Sequence, residues 1–574
     1  MRNVKNLFGM AVMATALVAC SSNDDLTSNG HEGNQTGEAY ASFRINLPTT
    51  TGTRADDPTP GSPSFEHGTA AEYEVKNGTI LIFDANTDKF VTSAELGTMN
   101  PWTDVKTNGV TTSAIATVKL ENVTVDGNYK ALVLLNNNSK ATPKVTLPTT
   151  ADTYTSWSKD VDKVDVDQYV STDGIFMANA PKYESATKDP TTLVKINHVC
   201  ASPEEAQAKA ATTVYVERGL AKVTMENFAT EGYKVADGTY KDATVKIENW
   251  KLDVTNKSTF PVHQTGGLMT AWNKIWNTDR FYDKGNGVFK RVYWGEDPNY
   301  DQNVYSKGTT TKSALEYCKD AFKMITNAQV DGVAGTPQYC LENTFDLANM
   351  MQGQTTRVVF KAVFTPKDFT ANETFYKIGN NTAIWKKADL EKQILAVALT
   401  AMKITDPTEQ AKYGVDLTKG SDISGKAGQH LIAKENITFN NGTATPVTTS
   451  QVTDDIVDKI NDKLGLKVEG GKITSGISTY LNGEAYYIAR IKHFNELTPW
   501  TAGTDYGTNN ADFLGRYGVL RNNWYSLSVN TVSGLGYPEV PEVKPNVPDD
   551  ENDQYINVEV KILDWAMRKQ VINL

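Results

Sequence analysis

Few residues in this sequence are placed to do chemistry, and the best placed read as substrates rather than catalysts. Cys20 ends the run Leu17-Val18-Ala19-Cys20, directly after an apolar stretch from Leu7 to Val18 and the charged residues Arg2 and Lys5. That is a secretory signal closing on a bacterial lipobox, so cleavage leaves Cys20 as the lipidated first residue. Arg54 stands alone in Pro48-Thr-Thr-Thr-Gly-Thr-Arg54-Ala55-Asp56-Asp57-Pro58. Loops of small polar residues are where proteases cut, and the same composition also suits a solvated loop with one charge. Catalytic patterns fail on spacing. There is no His-Glu-x-x-His, no Gly-x-Ser-x-Gly and no phosphate-binding loop; Gly470-Gly471-Lys472-Ile473 lacks both the hydroxyl and the spacing. The six histidines are scattered, and His198 with Cys200 lacks the further ligands of a zinc site. Gly295-Glu-Asp-Pro-Asn-Tyr-Asp-Gln-Asn303 is rich in oxygen ligands but has no EF-hand spacing, and reads as a polar loop. The chain is not expected to be an enzyme or to hold a metal or cofactor.

Both modifiable residues flank a strand. In Tyr40-Ala-Ser-Phe-Arg-Ile-Asn-Leu47, Ala41, Phe43, Ile45 and Leu47 share one face, while Ser42, Arg44 and Asn46 share the other. The same code closes the chain: Ile556, Val558, Val560 and Ile562 alternate with Asn557, Glu559 and Lys561, ahead of Trp565. Between the body and this tail runs Tyr537 to Asp553, with four prolines and six acidic residues. That composition predicts an extended, solvated, polyproline-like spacer. A lone strand cannot stand by itself, because its apolar face and backbone groups need a sheet. The tail must fold back or dock into another molecule, and one groove could accept either strand.

With 574 residues and 39% hydrophobic content the chain has material for two or more domains. Its net charge of −11 argues against nucleic acid as a partner. If Cys20 carries lipid, Cys200, Cys318 and Cys340 remain, and they read as small buried hydrophobes. They allow at most one intramolecular disulfide, and nothing in the sequence supports the Cys318–Cys340 pairing over free thiols.

Strand signals recur from residue 75 onward, including 78–83, 114–120, 129–135, 174–177 and a long run over 214–225. A second series covers 243–254, 356–364, 484–491 and 523–529. Helices are expected at 312–326, 386–402 and 454–464, with a short one opened by Ser202-Pro203. The expected fold is mainly β: two β-sandwich domains with a few peripheral helices and a C-terminal donor-strand tail. The expected divisions are a signal over 1–19, a propeptide over 20–54, domains over 55–232 and 233–536, a spacer over 537–554 and the donor strand over 555–574.

These residues resemble a known family. Val216-Glu-Arg-Gly-Leu-Ala-Lys-Val223, Tyr339-Cys-Leu-Glu-Asn-Thr344, Phe360-Lys-Ala-Val-Phe-Thr-Pro-Lys367 and Gly518-Val-Leu-Arg-Asn-Asn-Trp-Tyr525, with the lipobox and the tail, are similar to the Bacteroidales fimbrillins. Within them the closest pattern is the shaft subunit of the short (minor) fimbriae of Porphyromonas. Ser21-Ser22-Asn23-Asp24-Asp25 also looks like the acidic tag of surface-exposed Bacteroidetes lipoproteins.

The resemblance implies two transthyretin-like sandwiches and a lipoprotein precursor anchored in the outer membrane. It implies cleavage between Arg54 and Ala55 by an Arg-specific, trypsin-like protease. The strand bearing Phe43, Ile45 and Leu47 would then leave, and a neighbour's Ile556, Val558, Val560, Ile562 and Trp565 would take its place. Partners would be other copies, accessory and anchor subunits, and host or bacterial surface ligands in adhesion and biofilm formation. Two other functions fit the same residues: an accessory or tip adhesin of such a system, and a monomeric glycan-binding surface lipoprotein.

Overall fold

The computed structural model describes residues 37–48, 68–97, 103–107, 110–138, 143–163, 165–183, 189–265, 292, 294–440, 442, 451–493, 514–549, 557–564 and 566–573. Cys20, Arg54, Ala55, Ile556 and Trp565 lie outside these residues.

The chain is mainly β with few helices. Its first body is built from β1 (Gly37–Pro48), β2 (Gly78–Asp84), β3 (Phe90–Glu95), β4 (Thr103–Thr107), β5 (Val110–Val123), β6 (Tyr129–Leu135), β7 (Met177–Asn179), β8 (Val194–Lys195), helix α1 (Pro203–Ala208) and β9 (Thr212–Arg218). These strands form one nine-stranded sheet in the order β3-β2-β6-β7-β9-β1-β5-β4, with β8 on β6. One core gathers Ile80 and Ile82 of β2, Val133 of β6, Val214 of β9, Phe43 and Ile45 of β1 and Val118 of β5. Strands from both halves of the order meet in it and β3 lies against β5, so the sheet is rolled over on itself.

The second body contains β10 (Ala221–Met225), β11 (Tyr233–Lys234), β12 (Thr244–Asp253), β13 (Gln338–Cys340), β14 (Arg357–Thr365), helices α2 (Lys387–Met402) and α3 (Asp454–Lys463), β15 (Glu484–Arg490), β16 (Asn523–Thr531), β17 (Asn557–Asp564) and β18 (Ala566–Asn573). A four-stranded sheet runs β11-β12-β14-β15. A five-stranded sheet runs β13-β10-β16 and ends in the β17–β18 pair. Val223, Trp250, Phe360, Tyr487 and Tyr525 fill the space between the two sheets. The helices α2 and α3 close a separate core with Tyr376, Leu417, Ile437 and Ile477, an α/β insertion within the second body.

Several expectations are revised. The run 214–225 is two strands in different sheets. It breaks at Gly219, whose position sits 2.6 Å from the Phe176 ring when a Cβ is built there. Only glycine lets the backbone pass that close, and Gly219 N–H donates to the Phe176 carbonyl at 2.9 Å. Sheet membership therefore changes between Arg218 and Ala221. The helix expected over 312–326 spans only Ala314–Ala321, and Phe322–Lys323 pair as a short strand with Thr255–Asn256. Cys200, Cys318 and Cys340 are all free and buried, so Cys318 and Cys340 form no bridge.

The spacer differs most. From Tyr537 to Asp549 it is laid along the second body instead of standing in solvent. Tyr537 and Tyr486 exchange backbone bonds of 2.7 and 2.8 Å, the Pro541 carbonyl accepts from Arg357, and Val543 is buried beside Cys318 and Phe322. Gln352 N–H donates to the Val547 carbonyl, and the buried Asp549 accepts from Thr355 at 3.1 Å. Proline fixes an extended backbone. It does not stop the carbonyls and the intervening side chains from finding partners on a neighbouring surface.

Candidate assembly site

β1 sits in the interior of its sheet. It pairs parallel with β9 through Phe43↔Thr212 and Ile45↔Val214, and antiparallel with β5 through Phe43↔Ala116 and Ile45↔Ala114. The alternation read from the sequence points Ala41, Phe43, Ile45 and Leu47 into the core, where all four are buried. The opposite face is not simply wet. Ser42 lies under α1, donating to the Ala206 carbonyl at 2.7 Å and pairing with Thr117 Oγ1 at 2.9 Å. Asn46 is likewise buried and accepts from Ser113 Oγ at 2.6 Å. Arg44, between them, is exposed. The helix that covers Ser42 is placed by its own caps: Ser202 Oγ accepts from Glu205 N–H at 3.2 Å, and Pro203 opens the first turn.

The tail sits at the rim of the other sheet. β17 and β18 form an antiparallel pair running from Asn557↔Asn573 to Asp564↔Ala566. β18 lies parallel to β16, from Asn523↔Ala566 to Thr531↔Asn573, and β17 touches β16 only at Trp524↔Leu563. The sequence showed one amphipathic strand here. The second half, 566–573, lacks that alternation and is strand only because β16 offers it an edge. Val558, Val560 and Ile562 all lie on β17, opposite Ile572, Gln570 and Arg568.

A polar junction joins the two bodies, and sequence reasoning missed it. Glu72, in the short helix Ala70–Tyr73, meets Lys222 of β10 at 2.6 Å, with both side chains 4% exposed. Tyr339 of β13 donates to Glu72 at 2.7 Å, and the Lys222 ammonium lies 3.7 Å over the Trp524 ring. Burial would raise the Glu72 carboxyl; the Lys222 charge and the bonds from Lys222, Tyr339 and the Thr69 backbone outweigh it and hold it below the usual carboxylate range. Beside it Arg218 reaches Asn522 at 3.2 Å, Arg521 pairs with Glu342 at 3.2 Å, and His263 pairs with Glu217 at 2.8 Å. For His263 burial pulls the imidazole down, but Glu217 and Glu342 raise it further. An apolar layer flanks the junction, where Leu81, Phe83, Leu132 and Phe176 of the first body meet Leu220, Val262 and Leu341 of the second.

The motifs at 216–223, 339–344 and 518–525 thus converge here. Their charged residues are taken up in buried contacts, Arg521 with Glu342, Lys222 with Glu72 and Glu217 with His263. Among the described residues no three His, Cys, Asp or Glu side chains gather as a metal site. In the loop 295–303 Asp297 is buried and its carboxyl is pushed up to about 7 by burial, against lowering bonds from the Thr344 and Asn299 N–H groups. It is a packed polar loop held on Thr344.

Residues 478–571 match the family described as major fimbrial subunit protein type IV, fimbrillin, C-terminal. That span runs from Ser478 through β15 and β16 into the tail. No curated protein sequence matches the chain. Three crystal structures from Parabacteroides distasonis ATCC 8503 are similar. A proposed cell adhesion protein is 12% identical over 57% of this chain and 75% of that one, with a TM-score of 0.29. A fimbrial assembly protein is 15% identical over 57% of this chain and 82% of that one, with a TM-score of 0.26. A second proposed cell adhesion protein is 11% identical over 93% of this chain and 99% of that one, with a TM-score of 0.33. The expected resemblance is borne out on the matched region: residues 478–571 are similar to the C-terminal domain of fimbrillins.

Proposed function

We propose that this chain is a shaft fimbrillin of the Bacteroidales type, which polymerises by donor-strand exchange. The precursor is lipidated on Cys20 and anchored in the outer membrane. An Arg-specific, trypsin-like protease cuts between Arg54 and Ala55. β1 then leaves, and the tail strand of a second copy enters the vacated slot with Val558, Val560 and Ile562 toward the core. Repetition builds a surface fibre that serves adhesion and biofilm formation.

The observation that carries this reading is the seat of β1. It is an interior strand, and the Arg54 loop follows it directly in the chain. One cut there severs β1 from the body that it completes. Burying Phe43, Ile45 and Leu47 contributes roughly 1.5–3 kcal/mol each, or about 5–9 kcal/mol together. A whole domain is stable by only about 5–15 kcal/mol. An emptied slot, with the edges of β5 and β9 also unpaired, therefore needs a replacement strand.

Processing is the first test. Arg54→Ala should leave a full-length monomer that keeps β1, and N-terminal sequencing of assembled wild-type material should begin at Ala55. A mature N-terminus upstream of Tyr40 would sink displacement. Cys20→Ala should stop lipidation and surface delivery while the two bodies still fold, as surface immunoblots and circular dichroism would report. Efficient surface fibres from that variant would remove lipidation from the pathway.

The docked spacer sets the reach. Measured from Tyr537 the leash would span on the order of 50 Å at about 3.1 Å per residue. Pinned at Asp549, the chain to Asn557 can span no more than about 30 Å. The neighbour's slot must lie close to Asp549, which makes for a stiff fibre. Asp549→Ala removes the bond from Thr355 and leaves the Asp549 N–H on the Met350 carbonyl, so it should loosen the pin and measurably shorten the fibre's persistence length in negative-stain images. Wild-type stiffness in that variant would show that the pin does not set the geometry.

A further inference from the structure

We infer, on the reading that one copy's tail enters the β1 slot of the next, that this slot dictates the donor's direction and register. The device is the covered site at Ser42, and Asn557 is the residue that takes it. The outer face of β1 alternates in accessibility: Ser42 and Asn46 are buried, while Arg44 is exposed opposite the exposed Ile115. A donor must therefore match two codes, apolar residues inward and tolerable residues at the two covered outer positions.

One alignment satisfies both. Running in the same direction as β1, Val558, Val560 and Ile562 replace Phe43, Ile45 and Leu47. Asn557 then takes the place of Ser42, Glu559 that of the exposed Arg44, and Lys561 that of Asn46. The α1 backbone lies 2.7 Å from Ser42 Oγ, so the site under it admits a short side chain. Asn557 is the smallest of the three outer residues and is uncharged. Its amide carries a donor for the Ala206 carbonyl and an acceptor for the Thr117 hydroxyl. Lys561 reaches a site bordered by the Ser113 hydroxyl, with a stem long enough to bring its ammonium to water.

The alternatives each bury a charge. A shift of two residues puts Glu559 under α1 and turns Asp564 toward the core at the position of Leu47. A reversed strand either seats Lys561 under α1, with Ile562, Val560 and Val558 in the places of Ala41, Phe43 and Ile45, or seats Leu563 there and puts Glu559 in the buried place of Asn46. Each places an ionised group where no opposite charge is described.

Cross-strand disulfides read the register directly. Thr117 lies opposite Ser42, so it will lie opposite whichever donor residue takes that place. Full-length subunits carrying Thr117→Cys, cleaved after Arg54, are mixed with cleaved subunits carrying Asn557→Cys, Glu559→Cys, Lys561→Cys or Leu563→Cys. After mild oxidation, dimers are counted on non-reducing denaturing gels. The Asn557→Cys mixture should give at least about tenfold more linked dimer than any of the other three. A dominant Glu559→Cys link would show the shifted register, and a dominant Lys561→Cys or Leu563→Cys link a reversed strand; any of these overturns the inference. Ladders in unboiled gels with no link in any mixture would mean that the tail lies elsewhere, and donor-strand exchange itself would fall. A second pair checks the site without disulfides. Asn557→Arg should lower ladder formation about tenfold and Glu559→Arg less than about twofold; equal effects would deny the covered site its role.

Discussion

Val558→Asp combined with Val560→Asp should abolish fibre formation and leave the two bodies folded. In the slot these positions would face a core in which Phe43 and Ile45 are fully buried. Two carboxylates there, with no partner, cost several kcal/mol. Each 1.4 kcal/mol is a factor of ten, so occupancy should fall on the order of a thousandfold. The effect on the free subunit should be small. β17 pairs mainly with β18 at the rim of the sheet, and only Leu563 of β17 pairs with the body. Ladders in unboiled gels after protease treatment measure the first effect, and thermal melting of the uncleaved subunit measures the second. Glu559→Gln, at the position matched to the open Arg44 site, should polymerise like wild type. Normal ladders from the aspartate pair, or a collapsed melting transition, would mean that the tail is not an intermolecular donor.

Lys222→Met should give the largest loss of stability. It removes the ammonium that pairs with the Glu72 carboxylate and leaves that carboxylate buried between the bodies, with Arg218 held on the Glu72 backbone carbonyl at 2.8 Å. Breaking a buried pair from one side costs about 3–5 kcal/mol. For bodies of this size that is a fall on the order of 10 °C in melting temperature. The matched control is Lys251→Met, which breaks an exposed pair with Asp331 and should cost less than about 1 kcal/mol. Glu72→Gln added to Lys222→Met should recover part of the loss, because no buried charge is then stranded. The functional consequence follows from geometry. If copies join by the proposed strand exchange, tension in the fibre passes from the slot in the first body to the tail of the second, through this junction. A Lys222→Met shift no larger than the control's would show that the pair does not couple the bodies.

Alternation within a strand was enough to assign its core face. Period-two alternation over 40–47 put Phe43, Ile45 and Leu47 on one side, and the structure buries that side. Cap residues worked equally locally: Ser202-Pro203 opens a helix at Pro203, and α3 begins at Asp454 behind Thr453. The tail's alternation marked β17, and the motif at its end led to the fimbrillin match.

What covers a strand's second face, and what meets a distant charge, came only with folding. Nothing in the pattern of 40–47 says that α1 lies over Ser42 while Arg44 stays open, because that helix arrives from residues 203–208. Glu72, Lys222, Tyr339 and Trp524 look like four unrelated polar or aromatic positions until folding brings them into one buried cluster. The spacer's prolines and acids predicted solvent exposure, and the structure does not bear that out. Its carbonyls and Asp549 instead found Arg357 and Thr355 on a surface built by other strands. Residues 566–573 became a strand because β16 had an open edge. Periodicity and capping are written within a few residues, whereas coverage, ion pairing and edge pairing depend on segments hundreds of positions away.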